Sequence, residues 1–389
     1  MKILHVVASY LPAIRYGGTI VSVHALCKAL AARGHAVHVF TTSVDGPRDS
    51  AVPHGEPVDV DGVSVWYFQS RFLRRLYWSP PLGDALAARV GEFDVVHTHA
   101  VFLWPLWAAA RAATRAGVPY VLSPRGMLEK ALIERKSRAF KTAWIALIEK
   151  RNVQQAAAVH VTSAREAAEL AALGFDLPPI VEVPNGVDVA GEVDSTNPVA
   201  SAVRAIVDGG PYVLFLGRVS WKKGLDRLIR AIPYMTPDLT VVIAGNDEEG
   251  LRPALQAQAD RLRVGDRVVF TGAVDANAKR ALLTRARLLV LPSYSENFGN
   301  VVVEAMAAGC AVVVTPEVGI APAVEAAGAG WVVDGDPETL GSRVAELSAN
   351  GALRQAMGER GRATAQREFS WDRVAERMES AYRTVMKRA

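Results

Sequence analysis

A chain of 389 residues, 50% hydrophobic and 22% charged, is long enough for two domains of ordinary size, and its composition excludes a disordered protein. A net charge of +4 is small for this length and excludes a dedicated nucleic-acid binder. Two cysteines, Cys27 and Cys310, far apart and without metal-ligand spacing, exclude a disulfide framework and point to a reducing cytoplasm.

No apolar run approaches the ~18–20 residues of a membrane-spanning helix. The start, MKILHVVASY, has a lysine before an apolar run but no small-residue cleavage site after it, so Lys2–Ala8 reads as a buried strand. Ser9–Gly18 reads as a loop ending in Gly17-Gly18. Thr19 is placed as the cap of a helix that Gly34 ends, and Ala36–Thr41 as the next strand. This order opens an α/β sheet. Asp45–Asp61 reads as loop. Its Asp59-Val60-Asp61 triplet has the form of a diphosphate-metal clamp, but Asp61-Gly62 before Val63-Ser64-Val65-Trp66 is the signature of a turn between strands, and the turn is preferred. Arg71–Trp78 mixes arginine with large apolar side chains; it fits an anionic membrane surface or a solvated loop with tucked aromatics. From Arg71 to Arg151 there are fourteen Lys/Arg against six Asp/Glu.

Phe93–His97 reads as a strand with Thr98-His99 at its end. Helix Val101–Ala116, strand Tyr120–Leu122 and the turn Ser123-Pro124-Arg125-Gly126 follow, then a long helical pattern over Met127–Gln155. After strand Val159–Thr162, Ser163 caps Ala164–Leu173. Ile180–Val183 leads into Asn185-Gly186-Val187-Asp188. Gly191–Gly210 is the expected linker, with a helix possible over Ala200–Val207. Strands Tyr212–Leu216, Thr240–Ala244, Arg267–Phe270, Leu288–Leu291 and Ala311–Val314 then alternate with helices, and an amphipathic helix capped by Ser370, Trp371–Lys387, closes the chain. The expected fold is two parallel sheets wrapped by helices, one on either side of residue ~200.

In open parallel sheets, ligands bind beyond the carboxyl ends of the strands. Gly17-Gly18, His97/His99, Arg125, Asn185, Arg218/Lys223, Asn246, Gly272, Glu296 and Gly319 all follow a strand end within a few positions. The loop Gly217–Gly224 carries three cations and two glycines ahead of a helix, the usual setting for phosphate. The stretch Ser293–Gly309, SYSENFGNVVVEAMAAG, places Glu296 on a loop and Glu304 inside an apolar helix for which Asn300 is the expected cap. A carboxylate in that setting needs a partner. Of His97 and His99, the second is expected to face the ligand, because the first falls inside the strand.

Glu296 and Glu304 form Glu-x7-Glu. Together with Arg218, Lys223, Gly17-Gly18 and Asn185-Gly186-Val187-Asp188 this resembles the retaining glycosyltransferases of family 4, over nearly the whole chain including Phe369-Ser370-Trp371. The resemblance implies a GT-B fold: two Rossmann-like domains, residues 1–195 and 205–370, with parallel sheets facing across a cleft. Residues 371–389 form a helix that crosses back to the first domain. It also implies roles. Arg218 and Lys223 hold the diphosphate of a UDP- or GDP-sugar, Glu304 the ribose, and Glu296 with the backbone of Asn297, Phe298 and Gly299 the donor sugar. His99 contacts that sugar, Gly17-Gly18 close over the phosphates, and Gly272 borders the base. Arg125 and Asn185 lie on the acceptor side, with arginine where many relatives carry histidine. No metal or other cofactor is implied.

The expected reaction is metal-independent, retaining transfer of a sugar to a hydroxyl of a lipid-linked glycan in bacterial surface-polysaccharide biosynthesis. The enzyme would be cytoplasmic, and the basic, aromatic span 71–151 offers an anionic membrane surface a place to dock. Alternatives are transfer to a soluble small-molecule or sugar-phosphate acceptor, and nucleotide-sugar binding without catalysis. A dehydrogenase fares poorly, because no G-x-G-x-x-G follows the first strand.

Overall fold

The computed structural model describes residues 1–13, 17–129, 133, 138–189 and 201–388. The chain divides into two compact units, Met1–Gly186 with Trp371–Ala389, and Val187–Ser370. The first half of the expected linker and part of the helical pattern over Met127–Gln155, with Arg135 and Lys136, lie outside the described residues. So does the middle of the loop before Gly17.

The first unit contains β1 Lys2–Ser9, β2 Ala36–Thr42, β3 Val44–Asp45, β4 Arg48–Asp49, β5 Pro57–Val60, β6 Val63–Phe68, β7 Val95–His99, β8 Tyr120–Ser123, β9 Ala158–Val161 and β10 Ile180–Glu182. Eight of them form one sheet in the order β10-β9-β8-β7-β1-β2-β6-β5, and β3 pairs with β4 alone. Within the eight-stranded sheet β5 runs antiparallel to β6 and the other pairings are parallel; β3 and β4 also pair antiparallel. The order reverses between β1 and β7, so their carboxyl ends form the switch point of the sheet.

Side chains alternate between the two faces of a strand. On β1, Leu4 and Val6 enter one core cluster while Ile3 and Val7 enter the other. The second face is covered by the first helix, Gly18–Ala32, through Val23, Leu26, Cys27 and Leu30. The last helix, Trp371–Met386, covers it through Val374, Met378, Tyr382 and Val385.

The second unit contains β11 Tyr212–Leu216, β12 Thr240–Ala244, β13 Val268–Gly272, β14 Leu288–Leu291, β15 Val312–Val314 and β16 Gly330–Val332. All pair in parallel, in the order β13-β12-β11-β14-β15-β16. These strands are short continuous runs of Val, Leu and Ile because both faces are covered by helices. The switch point lies between β11 and β14.

Several local expectations change. The segment Asp45–Asp61 is not all loop: Pro57–Val60 is a strand, and Asp61 (φ +56°) with Gly62 (φ +81°) makes the turn to β6. Asp61 accepts from His24 Nε2 at 3.0 Å and lies 3.4 Å from Lys28 Nζ, so the triplet is spent on holding the hairpin to the first helix. The first helix is capped by Gly17 rather than Thr19. The helix Asn300–Ala307 is capped by Gly299 rather than Asn300, which is its first residue. The third helix starts at Trp104, not Val101.

Candidate active site

In the second unit the switch point brings the loop after β11 against the loop after β14. Gly224 decides this contact. Its φ is +65°, and a Cβ there would stand 1.9 Å from the carbonyl oxygen of Pro292. The backbone N–H of Tyr294 donates to the carbonyl of Lys222 at 2.7 Å, tying the two loops together. The result is that Lys223 Nζ donates to Glu296 Oε2, with both side chains largely buried. Burial by itself would push the Glu296 carboxyl up. The charges of Lys223, Lys222 and Arg218 outweigh it and hold the group below its ordinary value.

The loop bearing Glu296 is also fixed. Glu296 N–H donates to the Glu317 carbonyl at 3.1 Å, Gly319 N–H to the Glu296 carbonyl at 2.8 Å, and Ile320 N–H to the Phe298 carbonyl at 2.9 Å. Gly299 (φ +100°) starts the helix where a Cβ would press within 3.0 Å of Val318. Phe298 is buried beside Phe369, so its side chain belongs to the core, leaving only its backbone for a ligand.

The other expected donor-side residues have different partners. Arg218 pairs with Glu248 at 2.9 Å, and both are well exposed. Glu304 pairs with Lys279 at 2.8 Å. Thus the two carboxylates of Glu-x7-Glu are held by two different lysines. Gly272 ends β13 with φ +72°, and its carbonyl accepts from Gly245 N–H at 2.8 Å. Glu248 and Lys279 were missed in the sequence because each meets its partner across about 25 to 30 residues.

Gly224→Ala and Gly272→Ala should separate strain from collision. Both place a Cβ at positive φ, but only at Gly224 does it meet backbone. The Gly272 variant should lose about 1 kcal/mol. The Gly224 variant should lose more and should also lose nucleotide binding, as read by thermal melts with and without nucleotide.

In the first unit, His99, Arg125 and Asn185 come together. Arg125 Nη1 donates to Asn185 Oδ1 at 2.8 Å, and Arg125 Nη2 lies 3.1 Å from His99 Nδ1. A guanidinium only donates, so His99 Nδ1 is the acceptor and His99 Nε2 carries the proton. That nitrogen then donates to His5 Nδ1 at 2.8 Å, which leaves the His5 proton on Nε2 with no partner among the described residues. A second chain runs beside it. Tyr382 O–H donates to His97 Nδ1 at 2.6 Å, His97 Nε2 to His160 Nδ1 at 3.3 Å, and His160 Nε2 to the Val183 carbonyl at 2.9 Å.

His97 and His99 both lie within β7 and both are fully buried, so position in the strand does not distinguish them. Both ring nitrogens of His99 are engaged, one by Arg125 and one by His5. His5, His97 and His99 hold ligand atoms within 4.8 Å of one another, the spacing of a metal site. Their hydrogen-bond directions, however, commit every imidazole lone pair to a donor. Burial first, and then the charge of Arg125, holds His5 and His160 down at about 3; His99 is pushed well below 6.5 by the same two causes. His97 is pushed down by burial and then by the neighbouring histidines.

Gly17 and Gly18 stand at the carboxyl side of β1, where Gly17 (φ +79°) caps the first helix. A residue pattern for His5 and His160 was available: with His97 and His99 they are four of the eight histidines, all on inner strands.

Two family models match this chain. The family described as Glycosyl transferases group 1 matches residues 198–364, and the Glycosyl transferase 4-like domain matches residues 17–186. A D-inositol 3-phosphate glycosyltransferase of Arthrobacter sp. is 30% identical over 379 residues, covering 92% of this chain and 88% of that protein. Among solved structures, Anabaena HepE in complex with UDP and glucose superposes with a TM-score of 0.74 at 20% identity, covering 99% of this chain and all of that one. WaaG, a glycosyltransferase involved in lipopolysaccharide biosynthesis, superposes with a TM-score of 0.67 at 20% identity, covering 98% and 99%.

Proposed function

The chain belongs to the group 1, family-4-like glycosyltransferases of GT-B fold, and from that premise we propose that it transfers a sugar from a nucleoside-diphosphate sugar to an acceptor hydroxyl with retention of configuration and without a metal. The observation that carries the reading is the Lys223 ammonium, held by the buried Glu296 carboxylate at the switch point of the second unit. Lys223 and Arg218 take the donor diphosphate. As the bond from the anomeric carbon to the phosphate oxygen breaks, charge grows on the departing diphosphate, and fixed cations stabilise it there more than in the bound donor. The acceptor oxygen bonds the anomeric carbon on the same face and its proton passes to the leaving phosphate oxygen. Glu296 accepts from a donor-sugar hydroxyl, and its charge keeps Lys223 in place. Glu304 accepts from the ribose, with Lys279 orienting it. UDP is the favoured carrier, since the similar HepE was solved with UDP.

The acceptor is read as a lipid-linked glycan of bacterial surface polysaccharide, met on the inner face of the cytoplasmic membrane. Supporting this are the likeness to WaaG and a segment with Phe72 69% and Leu73 64% exposed beside exposed Arg71 and Arg75. No helix among the described residues is long and apolar enough to cross a membrane, so contact would be peripheral. Each basic residue near an anionic surface adds about 1 kcal/mol. Binding to anionic vesicles should therefore weaken steeply with salt and exceed binding to neutral ones; equal binding to both contradicts the membrane reading. A soluble phosphorylated acceptor is the second reading, favoured by the D-inositol 3-phosphate glycosyltransferase relative. A panel of UDP- and GDP-sugars, scored for turnover with the anomeric configuration of the product read by NMR, tests the reaction. An inverted product, or no turnover of any donor, removes it.

A further inference from the structure

We infer that Arg125 is the receptor for a phosphate group on the acceptor, an assignment that rests on reading the first unit as the acceptor side. Among the described residues no carboxylate lies within ion-pair distance of this guanidinium. Its two fixed partners, His99 Nδ1 and Asn185 Oδ1, are both uncharged. A carboxylate whose charge acts on it, Glu166, has both oxygens committed: one to Gly126 N–H at 2.6 Å, the other to Thr162 N–H at 2.8 Å and Thr162 Oγ1 at 3.0 Å. Those bonds fix the turn that carries Arg125 without neutralising it. The turn itself is strained, with Arg125 at φ +55°.

Arg125 is only partly exposed, and a guanidinium partly withdrawn from water without a counterion is completed by an anion that arrives with a ligand. Three polar atoms around His99 are also buried and unpartnered: Arg125 Nε, Ser123 Oγ and His5 Nε2. Ser123 lies beside His99 in the β7–β8 register, and His5 is hydrogen-bonded to it. Two of these three are donors only and the third is a hydroxyl, so the site asks for acceptors. Arg125 Nη1 and Nη2 each make one bond, to Asn185 and His99, and keep a second N–H, and the planar fork they form matches the oxygens of a phosphate. The histidines strengthen the assignment because they stay neutral: they orient the guanidinium and add no charge of their own. Also facing the cluster are Cys27 of the first helix and Tyr382 of the last, both held protonated by burial.

The phosphate could come from a prenyl-diphosphate-linked glycan or from a soluble sugar phosphate. The test uses the full chain carrying Lys223→Ala, so that the donor's diphosphate site does not compete. Inorganic phosphate is titrated by isothermal calorimetry into this protein, then into the same protein with Arg125→Gln and with Asn185→Asp. The aspartate variant is nearly isosteric and supplies the missing counterion from within. Arg125→Gln should weaken phosphate binding at least tenfold. Asn185→Asp should do the same while raising the melting temperature, an outcome a merely structural arginine would not give. If Arg125→Gln does not fold, the aspartate variant decides. Displacement of phosphate by glucose 6-phosphate or by farnesyl diphosphate supports the assignment and says which source the site accepts. Unchanged phosphate affinity in the folded variants, or displacement by neither probe, overturns it. Donor turnover by the unaltered enzyme is measured separately, so a failed glycosyltransferase reading and a failed phosphate site give different results.

Discussion

Lys223→Ala is expected to lower turnover by two to three orders of magnitude, the usual effect of removing one fixed charge-stabilising donor from a transition state. The same substitution should also destabilise the second unit, because Glu296 is left as a largely buried carboxylate without its lysine. Breaking a buried pair from one side costs about 3–5 kcal/mol, reduced here by the remaining charges of Lys222 and Arg218. The two effects separate in a double variant. Lys223→Met with Glu296→Gln should recover most of the melting temperature, since neither partner is then charged, yet remain inactive. Recovery of activity along with stability would mean that Lys223 serves the fold alone.

The second large effect is acid collapse of the first unit. His5, His97, His99 and His160 are neutral when folded, and each is held well below 6.5. An unfolded histidine titrates near 6.5, so below that pH the unfolded chain binds protons that the folded chain refuses. The stability these groups provide is therefore complete above ~6.5 and is lost as pH falls from there through their lowered folded values, which for His5 and His160 lie at about 3. Four such groups together remove roughly 5 kcal/mol for each pH unit, comparable to the whole stability of a domain. The first unit should unfold near pH 5. Tyr382 should release from His97 in the same transition, freeing the last helix from the sheet. Circular dichroism at stepped pH, with the slope of stability against pH read as protons bound, tests this. His5→Gln should reduce the slope by about one proton. A first unit that keeps its full stability at pH 4.5 would show that the histidines are charged or solvated when folded.

The parallel strands were readable because buried runs such as Leu288–Leu291 and Thr240–Ala244 are short, apolar and bounded by turn residues. The loop with Arg218 and Lys223 was readable for the same reason: its two glycines sit at the end of a clear strand. Caps were not. Gly17 and Gly299 start helices through positive φ, a backbone property that the neighbouring Thr19 and Asn300 masked with better capping side chains. The strand Pro57–Val60 was hidden by polar turn residues on both sides; it is an edge strand, where proline and aspartate are tolerated.

Partnerships were the least visible part. Glu304 was expected to need a partner, yet nothing local names Lys279. The histidine chains join β1, β7 and β9 with the last helix, contacts between residues as far apart as His97 and Tyr382. Only the strand order brings them together.

The central claim is that Lys223 grips the donor's diphosphate. It is tested most directly by calorimetric titration of UDP and uridine, and of GDP and guanosine, into the unaltered protein and the Lys223→Ala variant. One diphosphate should bind the unaltered protein much more tightly than its nucleoside, and most of that difference, at least tenfold in affinity, should vanish in the variant. A diphosphate preference that survives the loss of Lys223 intact would contradict the account.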